Sequence, residues 1–499
     1  MLRDLQKLSD TAYDVLVIGG GINGAAIANI AASRGLKVAL IEKDDFASGT
    51  SSKSTKLIHG GLRYLENLEF DLVYESLMER HVQLKCAPHL VKPLGFIIPV
   101  YKGDKRPLWM MKLGVFFYDL LAGKYAVNRH QHLTKEEVMR LEPGIKQEGL
   151  KGGVMYFDAQ MDDARLCLEN VLAARGRGAD IFNYVEARAF HKVAGKINSV
   201  TVRDNLSQKT FSICAKKVVC AVGPWSNYLL RLDDPHAKKQ VRTTKGIHIV
   251  VKGQLSNHAL FVMSYRDKRI FFIIPYMGNS LIGTTDTDYI GNPDNVKVDQ
   301  ADIDYLTDES KRIFPAHDFS SKNIVTAFAG LRPLLRSGGV LPSKATRKHF
   351  IYETASGMIV VVGGKYTTYR TIAEACVNRL TTPKFEKDCR LYARGTVSEN
   401  LPEIVNRYGL PLETIQALAE KYGTRYKDVL RLTESDPKLK ERICSCSPFI
   451  KAQIVYAIET EMAQTAEDII ERRLSTSYLP CQTKECEKVI RQFIDQRKN

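Results

Sequence analysis

The chain has 499 residues, 44% of them hydrophobic and 26% charged, enough apolar material for a buried core spread over roughly three domains. That excludes disordered and fibrous classes, and ten cysteines in such a length fall far short of a disulfide scaffold. Seventy-two Lys and Arg against 56 Asp and Glu leave a net charge of +16, which suits an acidic substrate or an anionic membrane face; the basic residues follow no zinc-finger, RNP1-like or heptad order, so no nucleic-acid partner is expected.

The opening MLRDLQKLSD is too polar for a secretory signal, and no run approaches the roughly 18 uncharged apolar residues of a membrane span, so a cytoplasmic protein is expected. Tyr13 to Ile18 predicts a buried parallel strand. Gly19, Gly21 and Gly24 follow at GxGxxG spacing, then an Ala-rich helix ending at Gly35 and a second strand closing at Glu42. This order marks a dinucleotide site: Gly19 for the sharp turn, Gly21 for close approach to a pyrophosphate, Gly24 for helix-on-strand packing. The helix N-terminus supplies amide donors for the pyrophosphate. Glu42 accepts from both ribose hydroxyls and repels a 2′-phosphate, which disfavours NADP. The competing reading is a glycine turn without a ligand.

Leu108 to Gly123 is strongly apolar and flanked by Lys102, Lys105, Arg106, Lys124 and Arg129. It predicts a helix lying in an anionic membrane interface or a core helix, too short to span. Residues 217–225 predict a strand ending at Gly223, and residues 261–289 an antiparallel sheet. Residues 356–376 predict a strand, a second glycine turn at Gly363 and Gly364, and a helix starting near Thr367 or Thr368. Beyond about Thr396 the pattern turns helical, with Pro402 and Pro411 near segment starts. Cys444, Cys446, Cys481 and Cys486 form a CxC followed far downstream by a Cx4C; they are either scattered thiols or four ligands for zinc or a [2Fe-2S] cluster.

Several strings occur in an order that resembles FAD-dependent glycerol-3-phosphate dehydrogenases over nearly the whole chain: TSSKSTKLIHGGLRYLE (residues 50–66), DDARL (162–166), CAVGPW (220–225), KGIHIVV (245–251), IGTTDTDY (282–289), AGLRPLL (329–335) and GGKYTTYR (363–370). The resemblance implies an α/β fold: a Rossmann-like FAD-binding domain of the glutathione-reductase or amino-acid-oxidase type, an inserted antiparallel-sheet substrate domain and a helical C-terminal cap. The FAD-binding domain is expected in residues 11–90, 151–240 and 326–390, a substrate and membrane-proximal segment in 91–150, the substrate domain in 241–325 and the cap in 391–499.

The resemblance further implies oxidation of sn-glycerol 3-phosphate to dihydroxyacetone phosphate by hydride transfer to FAD. Electrons would pass to a respiratory quinone, from a peripheral position on the inner face of the cytoplasmic membrane. A homodimer is left open. Thr50, Ser51, Ser52, Lys56, Leu57, His59, Gly60, Gly61, Gly223, Gly364 and Thr367 are implied as cofactor contacts. Arg63, Tyr64 and Arg347 are implied as substrate-binding, since guanidinium groups match phosphate oxygens. His248 is implied as base or hydroxyl-orienting group, against the plainer reading of a sheet histidine. Arg332 is implied at the C2 oxygen and Lys365 near the flavin N1 and C2 carbonyl. The four cysteines resemble an iron-sulfur domain of an anaerobic branch, which keeps a [2Fe-2S] cluster in view beside FAD. Rival readings are an oxidase reducing O2, another FAD-dependent oxidoreductase acting on amino or hydroxy acids, and a non-catalytic flavin-binding membrane scaffold.

Overall fold

Ala12–Ile18 is apolar from Val15 onward and buried over the same stretch, as a strand covered on both faces must be. In the computed structural model, which describes residues 3–336, 349–382, 400–481 and 484–498, this strand lies at the heart of an eight-stranded sheet. It pairs in parallel with Val38–Ile41 on one side and Thr210–Cys220 on the other. Asp180–Phe182 and Met358–Gly363 extend the parallel array outward. The helix Ile22–Ser33 buries ten of its twelve residues; its alanines let it lie close between the sheet and the helices Asp163–Gly176 and Tyr369–Val377.

The second sheet has ten strands and is almost wholly antiparallel, with one parallel pair between Ala259–Met263 and Val91–Tyr101. Its register is long where alternation is clean: Val241–Val251 runs against Ile324–Leu335 along its full length, and Val91–Tyr101 against Leu150–Met161. Those pairings move the expected boundaries. Leu150–Met161 and Ile324–Leu335 belong to the second sheet, so the chain returns to the nucleotide sheet after residues 161 and 335 rather than at 151 and 326. The apolar runs of both strands suit either sheet, and only long-range pairing decides.

From Leu401 the described chain is helical. Pro402 stands in the first turn of Leu401–Tyr408 and Pro411 caps Leu412–Tyr422. Asp45, just after the second strand, is fully buried and accepts from Arg472 Nε and from both terminal nitrogens of Arg473 at 2.7–2.8 Å, locking the cap onto the nucleotide domain.

Candidate active site

The central strand connects to one neighbour on its own side of the sheet while the chain returns much later on the other, so the loops at the carboxyl ends of Ala12–Ile18 and Thr210–Cys220 diverge and leave a crevice. Gly19 sits at its floor with φ +112°, and a Cβ there would come within 2.6 Å of the Ala221 carbonyl oxygen. At Gly24 a Cβ would lie 1.9 Å from the Gly19 oxygen. Gly21 caps the helix Ile22–Ser33 without a side chain, so the crevice borders a helix N-terminus with no N-cap side-chain bond, its Ile22 amide donating to Ser51 Oγ at 2.9 Å. Asn23 lines it with a buried Oδ1 that has no protein partner. Glu42 stands opposite, accepting from the Gly20 amide at 2.7 Å and the Asp44 amide at 3.0 Å. Burial pushes its carboxyl up to about 7, against the pull of those two amides.

The crevice continues as one cavity of about 750 Å³ that reaches the second sheet. A dinucleotide fits this space: glycines keep the floor bare, a helix N-terminus without an N-cap side-chain bond borders it, and an unpartnered side-chain oxygen lies on its wall. Thr50, Ser51, Leu57, His59, Gly61, Gly223, Gly364 and Thr367 all lie on the wall.

At the far end, His248 is held between two strands. On one side its cross-strand neighbour is Gly283, where a Cβ would lie 2.1 Å from the imidazole Cδ2; on the other the ring stacks on Phe328, centroids 5.0 Å apart. Its Nε2 is 2.9 Å from Thr55 Oγ1, and its Nδ1 is buried without a partner. Burial, with Arg332 and Lys56 adding positive field, holds the imidazole well below its usual range, so the ring is neutral at pH 7. Arg332 donates to the Thr285 carbonyl at 3.1 Å and to Thr284 Oγ1 at 2.8 Å, and pairs with Asp286 at 3.3 Å. A Cβ at Gly246 would lie 2.4 Å from its guanidinium. Lys365 donates to Ser76 Oγ at 3.0 Å, and its Nζ lies 3.9 Å from the Tyr64 ring centroid. Arg63, Tyr64, His248, Arg332 and Lys365 thus share one wall with the glycine turn.

Three expected cofactor residues, Ser52, Lys56 and Gly60, stand behind that wall. Lys56 is fully enclosed, donating to Asp163 Oδ1 at 2.5 Å and the Ser52 carbonyl at 3.3 Å, with its ammonium 5.0 Å from the Tyr478 ring centroid. It acts on the site through its field. Gly60 gives its amide to the Tyr118 hydroxyl at 2.9 Å, and a Cβ there would strike that oxygen at 2.4 Å. Ser52 is a packing position, and Gly24 packs helix on strand as expected. Arg347 lies outside the described residues.

Sequence reasoning missed Thr55, Gly246 and Gly283, although each lies inside a string already singled out; no spacing rule points to a glycine as the spacer for a neighbouring strand's side chain. It also missed Arg269, on the cavity wall and donating to the Asp286 carbonyl at 2.7 Å, which comes from a turn without a motif.

Residues 14–370 match the family described as FAD dependent oxidoreductase, and residues 390–498 the one described as the C-terminal domain of alpha-glycerophosphate oxidase, which makes the crevice that of a flavin-dependent oxidoreductase. Over 95% of its length the chain is 41% identical to glycerol-3-phosphate dehydrogenase of Synechocystis, covering 90% of that protein. It is 35% identical over 96% of its length to aerobic glycerol-3-phosphate dehydrogenase of Staphylococcus epidermidis, covering 89% of it. The crystal structure of the Bacillus halodurans glycerol-3-phosphate dehydrogenase complexed with FAD superposes with a TM-score of 0.82 at 28% identity, covering 99% of this chain and 92% of that one. The chain belongs to the glycerol-3-phosphate dehydrogenase family of flavoproteins.

Proposed function

We propose that the chain oxidises sn-glycerol 3-phosphate to dihydroxyacetone phosphate. The observation that carries this is the joining, in one cavity, of the glycine-floored crevice with a neutral buried histidine beside a fixed guanidinium. FAD bound along the crevice supplies the acceptor for the C2 hydride. The protein's own share is to hold the substrate and move one proton. His248, neutral and coupled to Thr55, takes the C2 hydroxyl proton. Arg332, pinned by Thr284, Thr285 and Asp286, stabilises the oxygen as it becomes a carbonyl. Arg63 and Tyr64 receive the phosphate end, Arg347 is assigned to the same task, and Lys365 brings positive charge to the flavin side.

The acceptor assigned is a respiratory quinone, reached from a peripheral position on an anionic membrane face. Support comes from the helix Leu108–Ala122. Its inner side is core, with Met111, Val115, Tyr118 and Ala122 buried, while Trp109, Leu113, Phe116, Phe117 and Leu120 face outward. Leu68 and Phe70, exposed on neighbouring segments, add to this apolar surface, and Lys105, Lys124 and Arg129 lie exposed in the flanking sequence. The inner face fits the core-helix reading, and the apolar outer face supports the membrane-interface one. Among the described residues no helix is long and apolar enough to cross a membrane.

The test is anaerobic. Glycerol 3-phosphate, glycerol and lactate are added separately to the flavin-loaded protein, and the flavin absorbance is followed. Bleaching by glycerol 3-phosphate alone, reversed faster by a quinone than by air, is the expected result. A yellow colour that survives the phosphoester overturns the reading, and reoxidation by air alone overturns the quinone.

A further inference from the structure

Cys444 and Cys446 precede the helix Lys451–Glu459, and Cys481 and Cys486 flank the start of Glu485–Lys498, yet the four sulfurs all lie within 4.8 Å of one another. Cys444 and Cys486 are almost fully buried, in a core shared with Ile443, Phe449, Ile490 and Ile494. Their sulfurs are at disulfide distance, and Cys446 Sγ is 3.0 Å from Cys444 Sγ and 3.5 Å from Cys486 Sγ. A disulfide employs two sulfurs and gives no reason for two more to converge on it. A shared ligand gives all four a reason.

We propose that Cys444, Cys446, Cys481 and Cys486 hold a single Zn2+ as four thiolates, a structural centre separate from the flavin cavity. Tetrahedral Zn–S bonds of about 2.3 Å place sulfurs about 3.8 Å apart, so the contacts of Cys446 with Cys444 and Cys486 need only small outward shifts, while Cys444 and Cys486 must be reduced and part to admit the ion. A [2Fe-2S] cluster must fit two irons and two sulfides between its cysteine pairs, so a single ion asks the smaller outward movement of these four sulfurs. With Cys444 and Cys486 held reduced, as under a thiol reductant, binding is acid–base chemistry alone: four thiols give four protons to solvent, four S–Zn bonds form, and the binding step oxidises and reduces nothing. The ion pins the last helix to the cap. It also fixes the chain three residues after Tyr478, whose ring packs 5.8 Å from Phe328, the ring stacked on His248.

The test uses the full flavin-loaded chain, purified under argon with a reductant and freed of loose metal. Elemental analysis is expected to find one zinc per chain. The four thiols should resist a disulfide reagent until a strong chelator is added, and Cys446→Ser and Cys481→Ser should each lose the zinc while keeping the flavin. Should those variants fail to fold, Co2+ exchanged into the unaltered chain should give the intense thiolate-to-metal absorption of a tetrahedral S4 site. Protein that holds no metal and whose thiols gain no protection from added Zn2+ overturns the proposal. So does a Cys444–Cys486 disulfide recovered intact under argon, or iron accompanied by acid-labile sulfide.

Discussion

His248 and Glu42 show how burial sets the proton inventory of the site. The imidazole is held below its usual range, so the folded chain favours the neutral ring. Its contribution to stability is full above the unfolded value of about 6.5 and falls as pH drops below it, and the acid limb of kcat/KM should lie well under that value. His248→Ala is expected to lower kcat by about 10²–10⁴-fold, the range for removing a general base. Near-normal turnover in that variant, with Arg332→Ala inactive, would move the proton acceptor elsewhere. Glu42 has the opposite sign. Its folded value is raised to about 7 from 4.5, so its contribution to stability is full below 4.5 and is lost as pH rises through 7. Ribose hydroxyls donate to the ionised form, so flavin binding expels a proton there and should tighten between pH 6 and 8. Flavin release followed by fluorescence checks this: Glu42→Gln should bind more weakly and with a flat pH response.

Elements differ in how openly the sequence announces them. The strand, glycine turn, helix and strand between Ala12 and Ile41 were legible because every local signal agreed: continuous burial, bare turn residues, good helix formers. Leu150–Met161 and Ile324–Leu335 were legible as strands but not as members of the second sheet, since strand pairing is a long-range property. Lys56 was misplaced for a related reason: its motif lies on the cavity, but its side chain is drawn inward by Asp163, more than a hundred residues away. The helix Leu108–Ala122 carried two incompatible-looking readings because its outer face is as apolar as its inner one. Replacing outward residues leaves its packing alone, so Phe116→Asp with Phe117→Asp should give folded, flavin-loaded enzyme that no longer sediments with anionic vesicles. Unchanged sedimentation would remove this helix from membrane contact.

At the scale of the molecule, the two sheets meet around one cavity and the cap closes on the nucleotide domain through buried charge. Burial alone would raise the Asp45 carboxyl, but Arg473 and Arg472 outweigh it and hold it near 2. Its stabilisation is therefore present above pH about 4 and lost as pH falls toward 2. Asp45→Ala strands two enclosed guanidinium groups and should cost about 3–5 kcal/mol in denaturant unfolding. None of this network was visible in the sequence, where Asp45 is one acidic residue among three and its partners lie more than 400 positions away.

That separation sets an order of manufacture. The nucleotide-binding turn leaves the ribosome more than 400 residues before the arginines that neutralise the carboxylate beside it. A growing polypeptide must carry an unshielded negative charge at this seam until Arg472 and Arg473 emerge. Early chain termination upstream of Arg472 should then yield degradation-prone fragments rather than a dim but working enzyme.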